Sequence, residues 1–162
     1  MRVLHWAAAL AIGAMLLQAL PGAGMAQSAW LAIHLSLGAA IALVICLRLV
    51  ARALTSARSG RSAIATITQA ALYGSMIAVL LTGWVAYKPP PFVPTPEVMG
   101  IAEFPVFPWR TALPSWPYAL LHRVTVWCFV ALALLHFAGA VAHAIKRDGV
   151  VASMMFGKPS GK

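Results

Sequence analysis

The stretch from Tyr118 to Ile145, YALLHRVTVWCFVALALLHFAGAVAHAI, decides the fold. Its one charged residue is Arg123, near its start, and Lys146-Arg147-Asp148-Gly149 closes it. A bilayer core of about 30 Å is crossed by about 20 apolar residues rising 1.5 Å each, so this run is long enough to span. Working backwards, three more runs of this kind appear. Val3 to Leu20 ends at Pro21-Gly22; Ala29 to Leu47 ends at Arg48; Ala63 to Tyr87 ends at Lys88 and Pro89-Pro90-Pro91. The reading is an all-α membrane protein: a bundle of four transmembrane helices forming one domain over residues 1–162, with a proline-rich loop at 88–117.

Composition agrees. Of 162 residues, 62% are hydrophobic and 9% charged, against roughly 45–50% and 25% in soluble domains. A cytosolic enzyme, a disulfide-stapled secreted module and a disordered tail are excluded, since each needs polar or cysteine-rich sequence. The formal charge of +9 does not point to nucleic acid, because most basic residues lie in short segments beside apolar runs and act as topology signals. Arg2, Arg48, Arg52, Arg58, Arg61, Lys146, Arg147, Lys158 and Lys162 fall on one side; Lys88, Arg110 and Arg123 fall on the other. This asymmetry places both termini in the cytoplasm and the 88–117 loop outside, with Trp109 and Trp116 at headgroup level. The first run also fits, loosely, a cleaved signal peptide, with Gly24-Met25-Ala26 before Gln27 as the processing site. Cys46 and Cys128 lie within apolar stretches and no Cys-x-x-Cys-His occurs, which leaves covalent haem attachment and zinc ribbons without support.

The chemistry lies in the histidines. Ionisable side chains inside a membrane are costly and mark functional sites; here they are His5, His34, His122, His136 and His143, and no Asp or Glu occurs in the four runs. Imidazole is then the only ligand type on offer, which points to haem rather than to mixed carboxylate–histidine iron or zinc sites. His122 and His136 are separated by about 21 Å along a helix, and 14 steps of 100° return to within about 40° of one face. Measured from the outer end of each run, His34 lies about 8 Å deep and His122 about 6 Å, while His5 lies about 22 Å and His136 about 27 Å. The depths pair His34 with His122 and His5 with His136. His143, at about 37 Å, falls at the cytoplasmic boundary. Gly38 and Gly139, one turn from His34 and His136, offer room for a planar macrocycle, although small residues also serve ordinary contacts between membrane helices.

These residues resemble the prokaryotic cytochrome b561 family: His5-Trp6, Ile33-His34-Leu35-Ser36-Leu37-Gly38, Thr82-Gly83-Trp84, Leu121-His122, Leu135-His136, Ala142-His143 and Arg147-Asp148-Gly149. The resemblance covers nearly the whole chain. It implies a bacterial inner-membrane protein with two non-covalent b-type haems, His34 and His122 ligating the outer iron and His5 and His136 the inner one. It also implies electron exchange with ubiquinone and, by likeness to the superoxide oxidase branch, oxidation of superoxide on the outer side. In that family several residues usually precede the His-Trp pair, whereas here Met1 to Leu4 do, which makes position 5 the least supported of the four ligands.

Lys88, Arg110 and Arg123 flank the loop above His34 and His122, where a cationic mouth would concentrate a small anion; Glu97 and Glu103 oppose it, and contacts with lipid headgroups account for the same residues. Tyr87, Trp109 and Trp116 are candidate walls for a quinone, though aromatic belts occur without one. Two functional classes follow: an oxidoreductase in its own right, or an electron-conducting membrane anchor for a separate dehydrogenase or periplasmic redox partner. A haem-free four-helix scaffold leaves the depth pairing unexplained. No catalytic base, nucleophile or nucleotide-binding loop is evident.

Overall fold

The computed structural model describes residues 2–18, 27–54, 63–89 and 94–147. Four helices account for most of them: α1 (Arg2–Gln18), α2 (Gln27–Leu54), α3 (Ala63–Ala86) and α4 (Trp116–Lys146). The candidate processing site at Gly24-Met25-Ala26 lies outside the described residues, as do Arg58, Arg61, Lys158 and Lys162.

Helix ends depart from the sequence reading by one or two residues at several places and by seven at the end of α2, and two of these shifts have a clear local reason. α2 continues past Leu47 to Leu54, because arginine is a good helix former and a charge does not end a helix where its head finds polar partners. α4 starts at Trp116, two residues early, since Pro117 sits in its first turn, where a missing N–H costs nothing. It ends at Arg147 in the left-handed conformation (φ 52°), whose N–H donates to the Ala144 carbonyl at 3.2 Å.

Three helices are long and apolar enough to cross a membrane: Ala29–Leu54, Ala63–Ala86 and Trp116–Lys146. The described part of α1 has 17 residues, about 26 Å of helix, slightly less than a bilayer core. Apolar side chains face outward all round the bundle: Leu10, Leu43, Ile64, Leu81, Leu134 and Phe137 are all exposed, while the buried apolar set is Ala8, Leu35, Ile41, Ile45, Tyr87 and Phe129. In water such a surface would aggregate; against acyl chains it costs nothing.

The helices associate as two hairpins. α1 packs on α2 and α3 packs on α4, whereas α2 and α3 touch lightly and α1 barely meets α4. The division matters because His5 and His34 stand on one hairpin, and His122 and His136 on the other.

The loop after α3 forms an ordered cap over one end. Strands β1 (Glu97–Val98) and β2 (Ala102–Glu103) make a minimal antiparallel hairpin, turned by Met99 (φ 55°) and Gly100 (φ 66°) and closed by Ile101 N–H donating to Val98 C=O at 3.0 Å. Its tip is tied to α2 by the Met99 N–H, which donates to Ser36 Oγ at 2.9 Å. A 3-10 turn over Pro108–Ala112 then presents Arg110, which is fully buried. The guanidinium donates to the carbonyls of Val85 (2.6 Å), Ala86 (3.2 Å), Leu113 (3.1 Å) and Pro114 (3.4 Å), and lies 4.6 Å from the Tyr118 ring centre. Arg110 thus satisfies carbonyls that the end of α3 leaves open and fastens that end to the start of α4. Trp84 Nε1 donates to Pro105 O at 2.7 Å and stacks near Phe107, adding an aromatic layer to the cap.

Candidate functional site: two facing histidine pairs

α4 carries His122 and His136 at two depths, and the α1–α2 hairpin faces it with one histidine at each. At the loop side, the His34 and His122 ring centres are 6.3 Å apart with their planes at 88°. At the side of the chain termini, His5 and His136 are 6.4 Å apart, also at 88°. The two pairs are the ones that depth along the helices predicts. His143 belongs to neither; it lies in the last turn of α4 and is exposed.

The spacing has a chemical meaning. A first-row metal sits about 2 Å from an imidazole nitrogen, and that nitrogen lies about 1.1 Å from its ring centre, so two imidazoles on opposite sides of one metal would have centres about 6.2 Å apart. Both pairs match this distance. The surroundings also leave room: a Cβ built on Gly139 meets nothing within 4 Å, and one on Gly38 meets only the tip of Met15 at 3.8 Å. His34 further carries a buried Nδ1 that has no hydrogen-bond partner. No group of three or more His, Cys, Asp or Glu side chains occurs among the described residues, so the donor set is two imidazoles per site. That set suits a macrocycle that fills the equatorial positions itself.

The loop-side pair is held by neutral groups. Trp30 stacks on His34 at 5.0 Å and 15°, and is itself locked to α1: its Nε1 donates to Gln18 O at 3.1 Å while Gln18 Nε2 donates to Trp30 O at 2.7 Å. His122 lies against α3, where Thr82 Oγ1 is 3.3 Å from its Nδ1 and Gly83 lies directly beneath the ring.

The termini-side pair has a cation beside it. Arg48 Nη1 donates to His5 Nδ1 at 3.0 Å; arginine has no acceptor, so the direction is fixed. The same guanidinium lies 5.6 Å from the Tyr73 ring centre, and its Nε is buried without a hydrogen-bond partner. One turn further, Arg52 donates to the Gln69 side-chain carbonyl. With Nδ1 accepting, a neutral His5 carries its hydrogen on Nε2, so binding a metal there requires Arg48 to withdraw or His5 to bind as imidazolate.

Several side chains that matter here escaped the sequence reading. Gln18 and Trp30 carry no signal of their own in the sequence, and Arg48 counts there as a topology charge. Only the contact across helices reveals their roles. The proposed cationic mouth also changes. Arg110 is fully buried with its donors spent on carbonyls, and Lys88 Nζ donates to Leu113 O at 3.0 Å. Arg123 is left as the exposed cation of the three. Of the aromatic residues considered as quinone walls, Tyr87 is buried edge-on to Phe104, Trp109 is layered between Phe107 and Tyr118, and Trp116 is exposed.

A helical membrane bundle with paired imidazoles between two hairpins defines a class, the membrane cytochromes b. The family model described as prokaryotic cytochrome b561 matches residues 1–157, and the chain belongs to that family of haem b electron-transfer proteins. No curated protein and no solved structure matches it.

Proposed function

We propose that His34 with His122, and His5 with His136, are the axial ligands of two b-type haems, and that the chain passes single electrons between ubiquinone and a donor on the loop side. The observation that carries this reading is the spacing of the two facing imidazole pairs, 6.3 and 6.4 Å between ring centres. Bound haem supplies the one-electron carrier; the protein binds it, orients it and sets its surroundings. Two imidazoles close both axial positions, which favours outer-sphere transfer over binding of oxygen at iron. With both termini in the cytoplasm, as the distribution of Lys and Arg favours, the loop-side centre faces the periplasm. Superoxide is the small donor this reading places there, with Arg123 as its nearest exposed cation.

The engagement of Lys88 and Arg110 in the cap favours a second reading, because a mouth in which, among the described residues, Arg123 is the exposed cation of the three steers a small anion weakly. In that reading the chain is the electron-conducting anchor of a separate dehydrogenase or periplasmic redox protein.

The decisive test is haem b per chain on detergent-purified protein, with reduced-minus-oxidised spectra, for wild type, His5→Ala and His122→Ala. Two haems, falling to one in each variant, are expected. A wild-type chain without haem would overturn the proposal. Reduction by superoxide in the isolated chain, with ubiquinone as acceptor, supports the first reading; activity only with a co-purifying dehydrogenase supports the second.

A further inference from the structure

Thr82 and Gly83 end α3 directly against the ring of His122, and their geometry constrains that ring in two ways. The first is steric. A Cβ built on Gly83 would lie 2.9 Å from His122 Cε1, 3.3 Å from Nδ1 and 3.6 Å from Nε2. Glycine here is a condition for the ring to lie where it does, because the neighbour is a rigid ring and not the far end of a flexible chain.

The second constraint concerns the proton. Thr82 Oγ1 has one hydrogen, and its shortest contact is the Ala78 carbonyl at 2.7 Å, which can only accept; Val79 O lies at 3.2 Å. Thr125 Oγ1 meets Thr82 Oγ1 at 2.9 Å, where one hydroxyl donates to the other; the carbonyls of His122 at 2.8 Å and Leu121 at 3.1 Å are further acceptors for Thr125. Whether the Thr82 hydrogen goes to Ala78 O or to Thr125 Oγ1, both closer than the 3.3 Å to His122 Nδ1, a Thr82 lone pair is left for that nitrogen. The hydroxyl that α3 offers to this ring therefore accepts, so Nδ1 bears the hydrogen and Nε2 keeps its lone pair.

We infer that Thr82 and Gly83 are positioning residues for His122: glycine sets where the ring lies, and the threonine hydroxyl sets which nitrogen is free to bind iron. The inference rests on the haem reading above and adds a polarity to it. A ligand imidazole that donates its other N–H is a stronger electron donor to the metal, which lowers the reduction potential of the loop-side centre. His5 has the opposite arrangement, a guanidinium donating to Nδ1.

The test compares Thr82→Val, Thr82→Ser and Gly83→Ala in the full chain by haem count, redox titration and the ferric low-spin EPR signal, which responds to the mutual angle of the axial rings. The termini-side haem serves in each variant as a control for folding. Expected are a loss of at least half of the loop-side haem in Gly83→Ala, and a raised loop-side potential in Thr82→Val that Thr82→Ser restores, with the second haem unchanged. Full loop-side occupancy with an unaltered EPR signal in Gly83→Ala, together with wild-type potentials in Thr82→Val, would overturn the inference. Those results with two haems in the wild type would leave the haem reading standing, whereas a haem-free wild type would remove both.

Discussion

The loop-side and termini-side centres share one geometry and differ in everything around it. Ring separations agree within 0.1 Å, at 6.3 and 6.4 Å, and both pairs of planes cross at 88°. Yet His34 and His122 lie beneath an ordered cap, held by Trp30, Thr82 and Gly83, with no charged group among those partners. His5 meets the guanidinium of Arg48, and His136 is exposed on the flank of α4. The distance between ligands follows from the helices alone, while the electrostatic setting follows from the neighbours. The lesson is that a bundle can repeat a site and still make its two copies energetically unequal: a cation beside one centre favours the electron there, and neutral acceptors at the other disfavour it. Electrons entering at the loop side would then run downhill towards the termini side.

The largest expected effect breaks one half of this comparison and spares the other. Arg110→Ala strips charge-assisted hydrogen bonds from the carbonyls of Val85, Ala86, Leu113 and Pro114, costing about 3 kcal/mol. A thermal melt followed by haem absorbance should show the loop-side haem released at lower temperature, with the termini-side haem retained; simultaneous release would mean that the cap supports the whole bundle. Next comes Arg48→Gln. At an effective dielectric near 20, one positive charge hydrogen-bonded to His5 is worth about 2 kcal/mol, or roughly 100 mV for a one-electron couple. Redox titration should find the termini-side potential lowered by that order and the loop-side value unmoved. An unchanged gap between the potentials would remove the asymmetry argued above.

Trp30→Leu loses the stack on His34, about 1 kcal/mol, and should loosen loop-side haem retention during dialysis roughly fivefold. The smallest effect sharpens the choice of donor. Arg123→Gln should slow superoxide-driven haem reduction about two- to threefold at low salt and flatten its salt dependence. Rates independent of both salt and Arg123 would favour a protein donor.

Much of this was legible along the chain. The apolar run from Tyr118 to Ile145 announces a spanning helix, and the 14-residue interval between His122 and His136 places two histidines at two depths, because helical rise and twist are constants. The end of α2 was less legible: Arg48 and Arg52 look like a stop signal, but the helix continues to Leu54 because Tyr73, Gln69 and His5 receive their head groups. Arg110 and Lys88 misled for a related reason. In a list of charges they crown the loop, whereas the folded cap turns both onto backbone carbonyls at the end of α3 and in the loop just before α4.

The sequence by itself determined that the chain is a helical membrane protein, that its apolar runs carry histidines and no carboxylates, and which histidines share a depth. These properties depend on composition and on helical periodicity, which are local. Only the tertiary structure decided that α1 with α2 and α3 with α4 form two hairpins whose histidines face each other, that Gly83 and Thr82 accept His122 while Arg48 presses on His5, and that the cap consumes two of its three cations. Those facts join residues that are dozens of positions apart, and a hydrogen bond or a close approach between such residues has no periodic signature to betray it.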